Sequence, residues 1–108
     1  MVTATPSPWY IQKQHAQQTR FFILCAAAQW RCVYCGAVAP ILTQDHFMPL
    51  SRGGVDAWWN IVPACLPCNQ SKEDLSPDAW FFLCPPGTRA RIWAFRELCR
   101  EIWKELLT

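Results

Sequence analysis

The pattern of apolar and polar residues predicts a helix at each end of the chain and a short pair of strands between them. Over Arg89–Leu107 apolar residues recur at steps of three and four, which is the spacing of one buried helix face. This face consists of Ile92, Phe95, Leu98, Cys99, Ile102, Trp103 and Leu106. Alanine, glutamine and leucine over 15–28 favour a second helix before the strands. Residues 1–9 are polar and broken by proline, and we expect them to be flexible.

The segment between these two helices carries strand and turn signals. Residues 37–44 can form a short strand that ends at Asp45 and His46, with Pro40 at its edge. The paired glycines in the run 51–54 allow backbone angles that other residues resist, so the chain turns there. Residues 60–62 then begin the returning segment. We therefore expect two consecutive short strands joined by a loop.

Turn signals after the strands predict two short helices. The run 65–72 continues from a turn into the first of them. Ser76 and Pro77 are typical of a helix start, because proline is tolerated at the first helical position. The Pro-Pro-Gly run at 85–87 ends the second short helix.

A chain of 108 residues suits one domain, which we expect to span 10–108. The 52% hydrophobic content and seven tryptophans favour a packed globule. The longest apolar run, 21–28, is far shorter than the roughly 20 residues that cross a bilayer, so no membrane span is expected. The N-terminus lacks the basic patch of a secretory signal, which favours a cytoplasmic protein. A net charge of +2 permits nucleic-acid binding without requiring it.

Seven cysteines are present, and four of them form two C-x-x-C pairs: Cys32 with Cys35, and Cys65 with Cys68. Two such pairs can place four thiolates about 2.3 Å from one tetrahedral zinc ion, a closed structural site that leaves no position for water. A redox C-x-x-C or simple core packing are the alternatives, and the paired spacing fits zinc better. The other cysteines lie in apolar stretches where we expect burial: Cys25, Cys84 and Cys99.

Four polar residues stand in a fixed order between and just after these pairs: Asp45, His46, Asn60 and Asn69. The surrounding runs are WRCVYCG at 30–36, DHFMPLSRGG at 45–54 and NIVPACLPCN at 60–69, followed by Lys72. Together they resemble the HNH nuclease family, in the subclass with two cysteine knuckles. An isolated Asp-His pair would mean little, but this order locked between two knuckles is highly specific.

The resemblance implies an α+β fold: a small ββα-metal core, or His-Me finger, held together by the four-cysteine zinc site and flanked by N- and C-terminal helices. In this fold His46 would activate water, while Asp45 and Asn69 would hold one divalent ion, Mg²⁺ or Mn²⁺. The residue types agree, because imidazole titrates near neutrality and these ions prefer carboxylate and amide oxygens. Asn60 would fix the loop that carries His46.

Several cations and aromatic residues are further candidates for DNA contact. Arg52 and Lys72 would bind phosphates flanking the cut, or else are ordinary solvated cations. Arg96 and Arg100 belong to a mixed-charge side of the C-terminal helix that is typical of a solvated face, with DNA-backbone contact as the alternative. The tryptophans at 58 and 59 favour core packing over stacking on bases.

The function that these residues predict is metal-dependent hydrolysis of DNA phosphodiester bonds, with RNA left open as a substrate. One ββα site cuts one strand, so double-strand cleavage would require a homodimer or a partner protein. The alternative from another class is a zinc-knuckle module that binds nucleic acid or protein without turnover. A binding module has no need of a base beside a metal carboxylate, so Asp45 and His46 favour the enzyme. The sequence does not identify the target DNA.

Overall fold

The computed structural model describes residues 8–106, with side chains over 18–105. Two antiparallel strands lie between a long N-terminal helix and three C-terminal helices. The elements are α1 (Pro8–Ala27), β1 (Thr43–His46), β2 (Ile61–Ala64), α2 (Leu66–Lys72), α3 (Pro77–Leu83) and α4 (Thr88–Leu106). This order, strand, strand, short helix, is that of a ββα core with flanking helices, and the predicted α+β fold is confirmed.

The helices begin and end near the predicted residues, with one exception. The helix α4 spans Thr88–Leu106, within one residue of the predicted limits at each end. The helix α3 begins as predicted, because Ser76 Oγ accepts a hydrogen bond from the backbone N–H of Ala79 and Pro77 follows as the first helical residue. The helix α1, however, already begins at Pro8, inside the segment expected to be flexible. Residues 1–7 and the side chain of His15 lie outside the described part of the structure.

The first strand lies later in the chain than the sequence predicts. It covers Thr43–His46 and not 37–44, so Asp45 and His46 lie within the strand instead of following it. Residues 37–38 instead close the first cysteine turn, where Cys32 N donates to Ala37 O over 2.9 Å and Arg31 forms a single bridge with Val38. Pro40 has no N–H for a ladder, which separates this bridge from the strand.

The register of the ribbon decides which way the candidate residues point. Asp45 lies opposite Val62, and His46 lies opposite Ile61. Side chains alternate between the two faces of a strand, so neighbouring Asp45 and His46 project to opposite faces. Asp45 is buried and His46 is partly exposed, as this alternation requires.

The core lies between the ribbon and the helices. Leu24 and Cys25 of α1 are buried with Ile92, Phe95 and Cys99 of α4, which belong to the apolar face predicted for the C-terminal helix. Leu98 of that predicted face is instead 44% exposed. Each fully buried Leu, Ile or Phe stabilises the fold by roughly 1.5–3 kcal/mol. Burial of the predicted core cysteines is complete at 25 and 99 and partial at 84. Of the helices described, none is long and apolar enough to cross a membrane.

Candidate functional site

The structure brings the four cysteines of the two C-x-x-C pairs together. Their Sγ atoms all lie within 4.8 Å of one another, and Cys35 Sγ lies 3.8 Å from Cys65 Sγ. Four sulfur atoms bound tetrahedrally at about 2.3 Å from a zinc ion are separated by about 3.8 Å, so the cluster has the size of a zinc site. All four thiols are unpaired. The residues fit one zinc ion with no open position.

Backbone N–H groups prepare one of these thiols to become a thiolate. Burial acts to raise the pKa of the Cys32 thiol, but N–H donors from Cys35, Cys65 and Tyr34 outweigh it and lower the pKa. The donors at Tyr34 and Cys35 lie 3.3 and 3.4 Å from Cys32 Sγ. Burial raises the pKa of Cys65 and of Cys68. The neutral form of the Cys65 and Cys68 thiols is therefore favoured in the absence of a cation, and metal binding releases protons.

The carboxylate of Asp45 is buried and is held through one of its two oxygens. Its Oδ2 atom accepts a hydrogen bond from the Tyr34 hydroxyl and lies 3.1 Å from the ammonium Nζ of Lys72. Burial, followed by the negative charge of Asp45, raises the pKa of Tyr34, so the hydroxyl keeps its proton and remains a donor. Among the hydrogen bonds of the described residues none uses Asp45 Oδ1. That oxygen is the atom left for a ligand.

Asn69 on α2 is held in a comparable way. Its Nδ2 atom donates to Thr43 Oγ1 over 2.9 Å, and the Thr43 hydroxyl in turn donates to Ala64 O over 2.8 Å. This chain of donors fixes the orientation of the amide, because the Thr43 oxygen must accept. In the described part of the chain the Oδ1 atom of Asn69 takes no hydrogen bond. A neutral oxygen ligand is thus available beside the strand.

Asp45, His46 and Asn69 line one surface cavity of about 280 Å³. The helix α2 packs against the strand β1, and this packing brings Asn69 to the strand. Carboxylate and amide oxygens are hard donors that suit Mg²⁺ or Mn²⁺, which keep several water ligands and need few from the protein. Glu73 and Asp74 line the same cavity and make its rim acidic. The donor set fits one hard divalent cation.

The imidazole of His46 contacts a carboxylate that the sequence did not single out. His46 Nε2 lies 2.9 Å from Asp56 Oδ1. The side chains are 26% and 64% exposed, respectively, so both reach solvent. Asp56 accepts when Nε2 carries the proton, which leaves the Nδ1 lone pair unprotonated. The only signal for Asp56 was an acidic residue in the loop before Asn60, and nothing in its spacing distinguished it from other surface carboxylates.

Asn60 is buried in the loop between the strands and bonds only to backbone atoms. Its Nδ2 atom donates to Met48 O and Val55 O, and its Oδ1 atom accepts from Met48 N, each over 2.9 Å. Its own carbonyl accepts from Phe47 N over 2.8 Å. The side chain thus ties Val55 to Met48 within the loop directly after His46.

The two cations predicted to bind phosphate occupy different environments. Lys72 is completely buried, and its ammonium also donates to His46 O over 3.1 Å. A phosphate at the surface cannot reach a group with no exposed area, so the structure corrects the phosphate contact predicted for Lys72. Its long side chain crosses the interior because the Asp45 carboxylate offers a buried partner there. Arg52 is 48% exposed and is directed toward Asp74, whose backbone carbonyl accepts from its Nε.

The segment that holds this geometry also matches a known family. Residues 32–75 match the family model described as HNH endonuclease. A search of curated proteins found no match to the chain. The matched segment contains both cysteine pairs, the two-stranded ribbon and the helix that carries Asn69. The predicted resemblance to HNH nucleases is therefore confirmed over residues 32–75, which match the HNH endonuclease family model.

Proposed function

We propose that the protein is a metal-dependent endonuclease that hydrolyses DNA phosphodiester bonds, with His46 as the general base and one Mg²⁺ or Mn²⁺ ion on Asp45 and Asn69. The observation that carries this proposal is the cavity of about 280 Å³ that these three residues line together. Hydrolysis of a phosphodiester requires a base for water and a cation for the growing negative charge. The four-thiol site provides neither, because all of its coordination positions belong to protein.

His46 takes a proton from water on its Nδ1 atom. Asp56, 2.9 Å from Nε2, fixes the tautomer in which Nδ1 is the basic nitrogen. The hydroxide that forms attacks phosphorus, and the bond between phosphorus and the 3′ oxygen breaks. The leaving oxygen takes a proton from solvent water. The products carry a 5′-phosphate and a 3′-hydroxyl.

The divalent ion, when bound, neutralises the charge that builds up on the phosphate oxygens. Asp45 and Asn69 each contribute one oxygen. Tyr34 and Lys72 hold the other oxygen of Asp45, and Thr43 holds the amide nitrogen of Asn69. Donors held in this way need no rearrangement when the ion binds.

We assign Lys72 a positioning role in place of phosphate binding. Its ammonium contacts both the Asp45 carboxylate and the His46 carbonyl, so it fixes the strand at the two candidate residues. Arg52 remains our candidate for a phosphate contact, since half of its side chain is exposed and it reaches toward Asp74 at the cavity rim.

One site of this kind cuts one strand, so the expected product is a nick. Double-strand cleavage would need a second copy of the chain or a partner protein. DNA is the substrate we propose, with RNA as the second candidate, and a reduced cytoplasmic location would keep the zinc thiols intact.

The decisive experiment is nicking of supercoiled plasmid by the purified protein with Mg²⁺ or Mn²⁺. His46→Ala is expected to lower the rate by about 10²–10⁴-fold, the usual contribution of a general base, while keeping its zinc. His15→Ala removes the only other histidine and serves as the matched control. An EDTA control tests the need for a metal.

Each outcome has a clear meaning. Nicking that depends on metal and is lost only in His46→Ala supports the nuclease and its base. Nicking that survives in His46→Ala contradicts the assignment of the base. A folded, zinc-loaded protein that binds DNA but cuts none would favour the zinc-knuckle binding module instead.

A further inference from the structure

A groove of about 530 Å³ lies between β2, the turn before it and α4. Its floor is aromatic: the Trp58 and Trp103 rings lie 4.5 Å apart at 35°, and Trp59 meets Trp58 edge-on at 5.5 Å. Trp59 is 60% exposed, so the core packing predicted for it from the sequence is wrong. The Trp59 indole, which packs against Trp58, therefore presents an apolar surface to solvent.

The rim of the groove is basic. Arg96, Arg100 and Lys104 line it, and among the described residues that do so none is acidic. They are spaced four residues apart on one side of α4, so they form a row with a step of about 6 Å. Arg100 Nη1 lies 2.8 Å from Glu97 Oε1, but both side chains are more than half exposed, and such a pair is weak enough to exchange for a phosphate.

The groove adjoins the candidate site through shared elements. Ile61 lines the groove and lies opposite His46 in the ribbon. Phe47 directly follows His46, and the Arg96 guanidinium lies 4.8 Å from the centre of the Phe47 ring. A strand cut beside His46 can therefore continue along this face of the molecule.

We propose that this groove binds an unpaired DNA strand next to the cut, with a base on Trp59 and phosphates on the row of Arg96, Arg100 and Lys104. The charge of the rim is complementary to phosphate, and exposed aromatic rings beside cations are how proteins hold single strands without reading sequence. Bases in a duplex cover each other's faces, so a partly exposed indole face suits an unpaired base. The inference rests on the proposed function and adds a class of substrate: DNA with a single-stranded segment.

Binding of a fluorescently labelled single-stranded oligonucleotide to the full chain tests the groove by anisotropy. All proteins carry His46→Ala so that no cleavage occurs. Adding Trp59→Ala should weaken binding about tenfold, the size expected for one lost base stack. Trp93→Ala is the matched control, because Trp93 is 64% exposed on α4 but does not line the groove. The control should bind like its parent.

The phosphate contacts have an independent test that does not depend on Trp59. The double variant Arg100→Gln/Lys104→Gln should lower the slope of log affinity against log salt by about 1.4, the effect of two lost contacts to a single strand. Arg31→Gln/Arg89→Gln removes the same two charges and is the control, since Arg31 lies beside the cysteine turn, Arg89 lies over the Phe81 ring, and neither lines the groove. An altered fold would change affinity without this change in slope.

Two results would overturn the inference. One is equal oligonucleotide binding and equal salt slopes in the groove variants and their controls. The other is a dimer in sedimentation that Trp59→Ala converts to a monomer, because the groove would then hold a second copy. The nuclease proposal fails separately, on the plasmid test with His46→Ala. If the groove binds DNA but the protein does not nick, the nuclease proposal alone fails. If the protein nicks DNA but the groove variants bind like their controls, the groove inference alone fails.

Discussion

At the scale of single residues, the candidate site depends on which atoms are already occupied. Asp45 uses Oδ2 for Tyr34 and Lys72, and Asn69 uses its amide nitrogen for Thr43. In the proposed site, the remaining oxygen of each side chain is the atom that would hold the divalent ion. Hydrogen bonds to a metal-ligating side chain often affect the affinity for the metal, because they orient the side chain before the metal binds.

Tyr34→Phe removes one of these bonds and keeps the buried ring. We expect the affinity for Mn²⁺ to fall by about 10–100-fold, because Asp45 loses a donor that orients it. Zinc content and the melting temperature should change little. Titration followed by electron paramagnetic resonance measures the bound Mn²⁺. Asp56→Asn, which alters a partner of His46 and not of Asp45, should keep the affinity, and equal affinities in all three proteins would contradict the positioning of Asp45 by Tyr34.

Gly54 is a second residue where local geometry permits a sharp test. A Cβ atom there would lie 1.9 Å from Met48 O, so any side chain must displace the loop that Asn60 holds. We expect Gly54→Ala to lower the free energy of unfolding by roughly 2 kcal/mol, as overpacking does elsewhere. Gly53→Asn is the control, since Gly53 has φ of 88° in open space and asparagine tolerates that region. Urea unfolding measures the free energy of unfolding, and equal values for both variants and the parent would contradict the predicted clash at Gly54.

At the scale of elements, the four thiols join short segments of the ββα unit. The strands are only four residues long, and α2 has seven residues. Isolated helices and hairpins of this size are marginal in water. One cysteine pair precedes the ribbon and the other flanks the start of α2, so a zinc ion bound to these four thiols would tie the ββα unit together at both ends.

Cys65→Ser should therefore unfold the protein, because structural zinc binding contributes roughly 10 kcal/mol or more to folding. The measurements are the zinc content and the thermal melt followed by circular dichroism. Cys84→Ser is the matched control, since Cys84 lies outside the cluster. A Cys65→Ser protein with an unchanged melt and full zinc would refute the structural role of the site.

At the scale of the whole molecule, α1 and α4 enclose the core and bury two further cysteines. Cys25 and Cys99 are almost completely buried, at 1% and 6% exposed. Burial raises the pKa of each thiol to about 11, from an ordinary value of 9.0. The folded state therefore favours the neutral thiols over the thiolates.

This difference predicts how stability depends on pH above neutrality. The folded pKa lies above the unfolded value, so the contribution is complete below pH 9 and is lost as pH rises through about 11. The loss should be roughly 2 kcal/mol for each thiol near pH 11. Urea unfolding with reductant at several pH values measures it. Cys25→Ala/Cys99→Ala should show a flatter decline than the parent, and parallel curves would contradict the prediction.

Much of the fold follows from local sequence patterns. The apolar positions of α4 repeat at helical spacing, and Ser76-Pro77 begins α3, because these signals act between residues close in the chain. The first strand was misplaced because its limits depend on pairing with β2, which lies far along the chain. Alternation over four residues is too short to fix such a boundary.

The sequence by itself indicated the resemblance to HNH endonucleases and the four cysteines that cluster, because cysteine spacing and the order Asp-His, Asn, Asn are properties of the chain. Only the tertiary structure decided the partners: Tyr34 and Lys72 on Asp45, Asp56 beside His46, and the tryptophan groove along α4. Lys72, which the sequence suggested would bind phosphate at the surface, is buried in the interior. A residue type states which bonds a side chain can make, whereas packing decides which groups meet and which are removed from water.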